Sequence, residues 1–269
     1  MTGDKFRLTK EAAIKYDTYS VPAMFGPLAR ATMDKVELLK DAHVIDIACG
    51  TGALTREIAR KLTGRGRIVG VDLNDTMIDL ARENQPSSAH DVEWFAADVC
   101  DLPCDDNAFD YAFIQQGLQF FPDKPAALRE IRRVLRPKGQ LILTCWRAIS
   151  PFNGALAEAL ARHVNEAAAR KARAPFSFRD GEAIATLLNE GGFDVLKLAG
   201  VVLERRLDDL RAQIMALPIE ADLRAAGDAV TDVMINDVAA ALAPYKTAGL
   251  LSVPQEAHLF YARPKAMVR

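Results

Sequence analysis

Val44-Ile45-Asp46-Ile47-Ala48-Cys49-Gly50-Thr51-Gly52-Ala53-Leu54-Thr55 reads as a buried strand that breaks into a glycine turn and then opens a helix. Gly50 and Gly52 carry no Cβ, so the turn can be tight and backbone N–H groups at the helix start can face a ligand held close to them. The identity of that ligand follows from two departures from a phosphate site. A dinucleotide fingerprint asks for a third Gly or Ala where this chain has Thr55. Asp46, on the strand just before the turn, would repel a pyrophosphate but attract an ammonium or sulfonium group. A P-loop is excluded as well, because Ala53 and Leu54 stand where its lysine and hydroxyl residue belong. The loop suits a nucleoside that bears a cation.

The 269 residues, half of them apolar, suffice for one large α/β domain with additions. A formal net charge of −2 supplies no field toward nucleic acid or an anionic membrane, so neither is an expected partner. Met1-Thr2-Gly3-Asp4-Lys5 has charges where a signal peptide needs an apolar run, and no run of about 18 apolar residues occurs, which predicts a cytoplasmic protein. Cys49, Cys100, Cys104 and Cys145 lack zinc-site spacing and read as small apolar packers, so no metal is expected.

Residues 5–40 carry Phe6, Leu8, Ile14, Tyr16, Tyr19, Met24, Phe25, Leu28, Met33, Val36, Leu38 and Leu39 at helical spacings, with breaks expected at Pro22 and Pro27. Tyr16 and Tyr19 would fold over the ligand loop or simply pack with their phenols at the surface. Strands are expected at His43–Ala48, Arg67–Leu73, Val92–Ala97, Phe109–Gln115 and Gln140–Trp146, alternating with helices at Leu54–Leu62, Thr76–Glu83 and Ala126–Leu135. This alternation is that of a doubly wound parallel sheet, whose ligands sit beyond the carboxyl ends of the strands.

Asp72 ends the second strand, 22 positions after Gly50 and close to the roughly 20 expected of an acid that binds a ribose diol. Asn74 and Asp75 are better placed to cap the helix that follows. Asp98 ends the third strand, where a carboxylate can accept from the exocyclic amine of adenine and the Val99 N–H can meet the ring. Met77 stands where it could lie against the adenine face, and Ala48 and Leu73 occupy the same strand ends.

Asp46-Ile47-Ala48-Cys49-Gly50-Thr51-Gly52, Gly70-Val71-Asp72, Ala97-Asp98-Val99-Cys100-Asp101-Leu102-Pro103, Phe109-Asp110-Tyr111 and Leu135-Arg136-Pro137-Lys138-Gly139-Gln140 together resemble the class I S-adenosylmethionine-dependent methyltransferases. The resemblance is to the branch holding quinone-pathway C-methyltransferases and many small-molecule methyltransferases, and it covers roughly residues 40–146. It implies S-adenosyl-L-methionine as cofactor, with Asp46 and the Gly50 and Gly52 backbone near its ammonium, Asp72 on ribose and Asp98 with Val99 at adenine. It also implies a Rossmann-like three-layer α/β/α sandwich on a mostly parallel, seven-stranded sheet with an antiparallel last strand. Strand-like segments at Asp194–Arg205 and Ala257–Ala262, after a helix at Asp180–Asn189 and the Gly191-Gly192 stop, fit that ending.

On this reading the chain divides into an N-terminal helical cover (1–40), the S-adenosylmethionine-binding core (41–150), a helical lid insertion (151–178), a core continuation (179–206), a second helical lid insertion (207–252) and a final core strand (253–269). The insertions would line a substrate cavity, or instead form the face of a homodimer.

Gln115-Gln116-Gly117-Leu118-Gln119-Phe120-Phe121-Pro122-Asp123 follows the fourth strand, facing the transferable methyl in the resembling family. Gln115 is a candidate cofactor contact. The Asn/Asp-Pro-Pro-aromatic run of amine methyltransferases acting on nucleic acids is missing, and Gln119 stands where relatives often have a histidine. Candidates for a base are His163 and Tyr16 or Tyr19, with Gln119, which cannot act as a base, left to positioning, although a sulfonium methyl demands alignment more than a strong base. The expected activity is methyl transfer to a small, largely apolar acceptor, aromatic or polyketide- or quinone-like. Alternatives are an S-adenosylmethionine-binding protein without methyl transfer, whether regulator or cyclase, and a nicotinamide dehydrogenase, for which Tyr245-Lys246 does not supply a Tyr-x-x-x-Lys motif.

Overall fold

The computed structural model describes residues 9–85 and 90–266, so Phe6, Leu8 and the charged start that argues against a signal peptide lie outside the described residues. The chain opens with α1 (Lys10–Lys15), capped by the Thr9 hydroxyl, which passes into a π-helical stretch Tyr16–Phe25 and then α2 (Gly26–Met33). The break expected at Pro22 does not occur. Proline lacks the N–H of an α-helical rung and crowds the preceding turn, and the wider π turn, closed where the Gly26 N–H donates to the Val21 carbonyl, accommodates it.

The core follows as β1 (Val44–Ile47), α3 (Ala53–Lys61), β2 (Ile68–Asp72), α4 (Asp75–Glu83), β3 (Val92–Ala96), β4 (Phe109–Gln115), α5 (Lys124–Val134) and β5 (Leu135–Trp146). All four residues of β1 are buried because helices cover both faces of its sheet. After β5 come α6 (Pro151–His163), α7 (Glu166–Arg173), α8 (Gly181–Glu190), β6 (Phe193–Arg206), α9 (Leu210–Met215), α10 (Glu220–Ala226), α11 (Asp228–Ala241), β7 (Lys246–Thr247) and β8 (Leu250–Pro264).

The sheet is eight-stranded, ordered β3-β2-β1-β4-β5-β8-β6 with β7 paired to β8. Its first five strands run parallel, and β8 lies antiparallel between β5 and β6. This is the expected Rossmann-like sandwich with its antiparallel end, enlarged by the two-residue β7. Two strands exceed expectation. β5 begins at Leu135 because a register shift between Phe109 and Tyr111 absorbs the Pro137–Gly139 kink. β8 begins at Leu250 because β6 is long enough to pair with it from Phe193 opposite Pro264 to Arg206 opposite Ser252.

One face of the sheet is covered by α5 and α8 through Leu128, Ile131, Ile184 and Leu188, the other by α2 and α3 through Leu28, Met33, Leu54 and Ile58. The helices α6, α7, α9, α10 and α11 form a third apolar cluster around Phe152, Leu156, Leu160, Leu223, Met234 and Val238. Each such fully buried side chain is worth roughly 1.5–3 kcal/mol relative to exposure, enough to hold this cap as a packed unit. No helix among the described residues is long and apolar enough to cross a membrane.

Candidate active site

A cavity of about 290 Å³ lies beyond the carboxyl ends of the parallel strands, bounded by the N-terminal helices on one side and by the cap on the other. The chain builds its floor by bending sharply at β1. Ala48, Gly50 and Gly52 all adopt positive φ, of 57°, 57° and 80°. Ala48 and Gly50 line the cavity. A Cβ on Gly50 would stand 3.6 Å from the Tyr16 hydroxyl, so the phenol closes directly over the turn. Gly52 lies off the wall. Its Cβ would come within 2.7 Å of the Trp94 ring, so packing inside the fold, together with the left-handed backbone that starts α3, demands glycine there.

The strand-end acids differ in their surroundings. Asp72 lines the cavity and accepts from the N–H groups of Gly50 and Asn74, each at 2.9 Å. Asn74 caps α4 by accepting from the Thr76 N–H, so Asp72 is not the cap. Burial raises the Asp72 carboxyl, and those N–H groups oppose the rise. Asp46 lies behind the turn, 1 % exposed, and does not reach the wall. Its Oδ2 accepts from the Thr55 hydroxyl at 2.6 Å and its Oδ1 has no partner among the described residues. Burial, with Asp72 as a neighbouring negative charge, pushes the Asp46 carboxyl up to about 7. Leu73, Met77, Asp98 and Val99 complete this end of the cavity.

The opposite end combines amides and aromatic rings. Gln115 donates through Nε2 to the Phe25 carbonyl at 3.1 Å and, among the described residues, leaves Oε1 unpaired, while Gln116 and Gln119 have no partner there for either amide atom; all three line the cavity. Gly117 lets this loop approach the turn, since its Cβ would stand 2.7 Å from that of Ala48. Tyr16, Phe25, Trp146 and Phe176 form a run of rings with successive centroids 5.1, 6.4 and 6.0 Å apart. Lys15 of α1 reaches Glu220 of α10 at 2.6 Å, strapping the N-terminal cover to the cap across the cavity mouth.

Of the base candidates, His163 is not at the cavity. Its position at the end of α6 faces α11, where Nε2 lies 2.7 Å from Asp237 Oδ2. Tyr16 is at the cavity, but burial, and then the charge of Asp72, raises its phenol far above the ordinary range, which keeps it protonated and unsuited to act as a base. Gln119 is at the cavity, and Tyr19 lies off its wall. Sequence reasoning passed over Gln116, Lys15, Trp146, Asn153 and Arg205, which also line it. Only Gln116 had a local signal, its place directly after Gln115 at a strand end.

The residues present fit S-adenosylmethionine. The Asp46 Oδ1 without a partner among the described residues leaves an acceptor behind the turn, and Asp72 and Asp98 stand at successive strand ends. Comparison with known proteins agrees. Residues 44–139 match the methyltransferase domain family. The demethylmenaquinone methyltransferase of Lactiplantibacillus plantarum is 38% identical over 115 residues, which are 42% of this chain and 48% of that protein. The chain thus spans about half the length of the curated relatives it matches. Two solved structures share the fold: a SAM-dependent methyltransferase from Aquifex aeolicus, with TM-score 0.56, 18% identity and coverage of 72% of this chain and 93% of the other; and the cyclase SpnF, with TM-score 0.53, 23% identity and coverage of 90% and 82%. Residues 44–139 thus match a methyltransferase domain and are similar to the corresponding stretch of demethylmenaquinone methyltransferases.

Proposed function

We propose that this chain transfers the methyl group of S-adenosylmethionine to a small, largely apolar acceptor of aromatic, polyketide-like or quinone-like character. The observation that carries this reading is one cavity with two unlike ends, acids and a glycine turn at the ends of β1, β2 and β3, rings and amides where β4 and the cap meet. Bound at the acidic end, S-adenosylmethionine supplies a methyl group already activated by its sulfonium. Asp72 would receive the ribose hydroxyls, Asp98 and Val99 the adenine edge, and Met77 the adenine face. The Asp46 carboxylate, behind the turn, would balance the ammonium, with the Gly50 backbone in contact with the amino-acid portion.

The chain's work at the other end is positional. Phe25, Trp146 and Phe176 exclude water and offer flat apolar walls, while the free amide atoms of Gln115, Gln116 and Gln119 can orient an oxygen-bearing acceptor. Holding nucleophile, methyl carbon and sulfur in line within a dry pocket accounts for most of what such a reaction needs. The insertions 151–178 and 207–252 act as the lid, with residues 9–40 as cover, in a cytoplasmic protein that needs neither nucleic acid nor membrane; a homodimer through the cap is compatible with this scheme.

A second reading, cofactor binding without transfer, draws on the lack of a histidine on the cavity wall among the described residues and on the likeness to SpnF. Incubation with methyl-labelled S-adenosylmethionine and a panel of hydroquinones, phenols and β-dicarbonyl compounds decides between them. Label in an acceptor is the expected result. Binding without label in any acceptor favours the second reading, and binding of NAD in its place would bring back a dehydrogenase.

A further inference from the structure

Arg205 lies near the end of β6, at the sheet edge opposite the acids of β2 and β3, and its side chain lines the same cavity. It is 2 % exposed. Among the described residues its one hydrogen bond runs from Nη1 to Asn153 Oδ1 at 3.3 Å, and Nε has no partner. The Phe152 ring lies 4.2 Å from its guanidinium carbon. No described carboxylate pairs with it, and burial alone lowers it to about 10. A desolvated guanidinium without a counter-ion is costly, and neither one long hydrogen bond to a neutral amide nor a ring face restores what water supplied. Lys15, the other cation on the wall, is engaged by Glu220 and Glu11.

We infer that Arg205 is the acceptor-binding residue of this site and that the acceptor carries an anionic oxygen, a carboxylate or an ionised phenol or enol, which pairs with the guanidinium. The inference rests on the proposed methyltransferase reading and gives its acceptor a charge. Arginine suits the task, because its planar fork meets a carboxylate or a delocalised oxyanion with two parallel N–H donors. Asn153 braces the fork from the start of α6: its Oδ1 takes both Arg205 and the Ser150 hydroxyl, and its Nδ2 donates to the Ala172 carbonyl at 3.5 Å. The cavity therefore carries negative charge at the cofactor end and positive charge at the acceptor end, which sets the direction in which an anionic acceptor enters.

The test uses the full chain loaded with S-adenosylhomocysteine, titrated calorimetrically with matched probes: benzoate against benzamide, and 4-nitrophenolate against 4-nitroanisole. The parent protein is expected to bind at least one anion about ten-fold or more tighter than its neutral partner. The pair that discriminates tells carboxylate from phenolate, and a shift of the nitrophenolate absorption band reports its ionised state in the site. In Arg205→Met the preference should vanish with S-adenosylhomocysteine affinity unchanged and the ligand-free melting temperature equal or higher, while Arg205→Lys should keep part of the preference. Equal affinities for anion and neutral partner in the parent, no anion bound at all, or a preference that survives in Arg205→Met would overturn the inference. Failure to bind S-adenosylhomocysteine would instead strike the underlying reading.

Discussion

Asp46 and Gly52 illustrate how a single position is constrained from behind the site. The Asp46 carboxyl stands at about 7 against an ordinary 3.8, raised first by burial. A group raised in the folded state contributes stability that is fully present below its unfolded value and is lost as pH climbs through its folded one. The ligand-free protein should therefore lose stability between about pH 4 and about pH 7, and Asp46→Asn, whose amide oxygen can still accept from Thr55, should flatten that loss. Melting curves at about pH 5 and about pH 8 check this; identical slopes in the two proteins would refute it. Gly52→Val puts branched carbon into the Trp94 ring at a backbone of φ 80°, and should cost about 2 kcal/mol or more in thermal unfolding. A Gly52→Val protein of parental stability that merely fails to bind would return that residue to the ligand contacts. At Asp72, replacement by Ala removes the acceptor for the Gly50 and Asn74 N–H groups and should weaken S-adenosylhomocysteine at least about ten-fold by calorimetry, with secondary structure unchanged by circular dichroism.

The elements explain what was legible. Strand ends and the turn were readable because their signals are local: an apolar run, two glycines, an acid at fixed offset. Asp72, Asp98 and Gly50 line the cavity for that reason. Arg205, Trp146 and Phe176 were not readable as wall residues, because they reach the cavity only through the pairing of β5, β8 and β6 and the seating of the cap. Pro22 misled because the rule that proline ends a helix presumes α geometry, and the chain widens to π instead. Sequence alone does not show that the neighbour of Gly52 is Trp94, which lies on a strand two places away in the sheet. The strap from α1 to α10 was equally invisible. Since Lys15 and Glu220 are each about a quarter exposed at the side chain, Glu220→Gln should change unfolding free energy by less than about 1 kcal/mol. It should nevertheless raise hydrogen exchange in α1 and α10 and speed S-adenosylhomocysteine release in stopped flow. Unaltered exchange and release would mean that the strap does not gate the mouth.

Across the whole molecule, the proposed function follows from placing two polarities in one cavity. The parallel half of the sheet delivers acids from β2 and β3, the antiparallel edge delivers a cation from β6, and the cap joins them under cover. The most direct test of this account is calorimetric titration of the full chain with S-adenosylhomocysteine and, separately, with NAD. Saturable one-site binding of S-adenosylhomocysteine and none of NAD is the predicted result. NAD binding with no heat from S-adenosylhomocysteine would contradict the account.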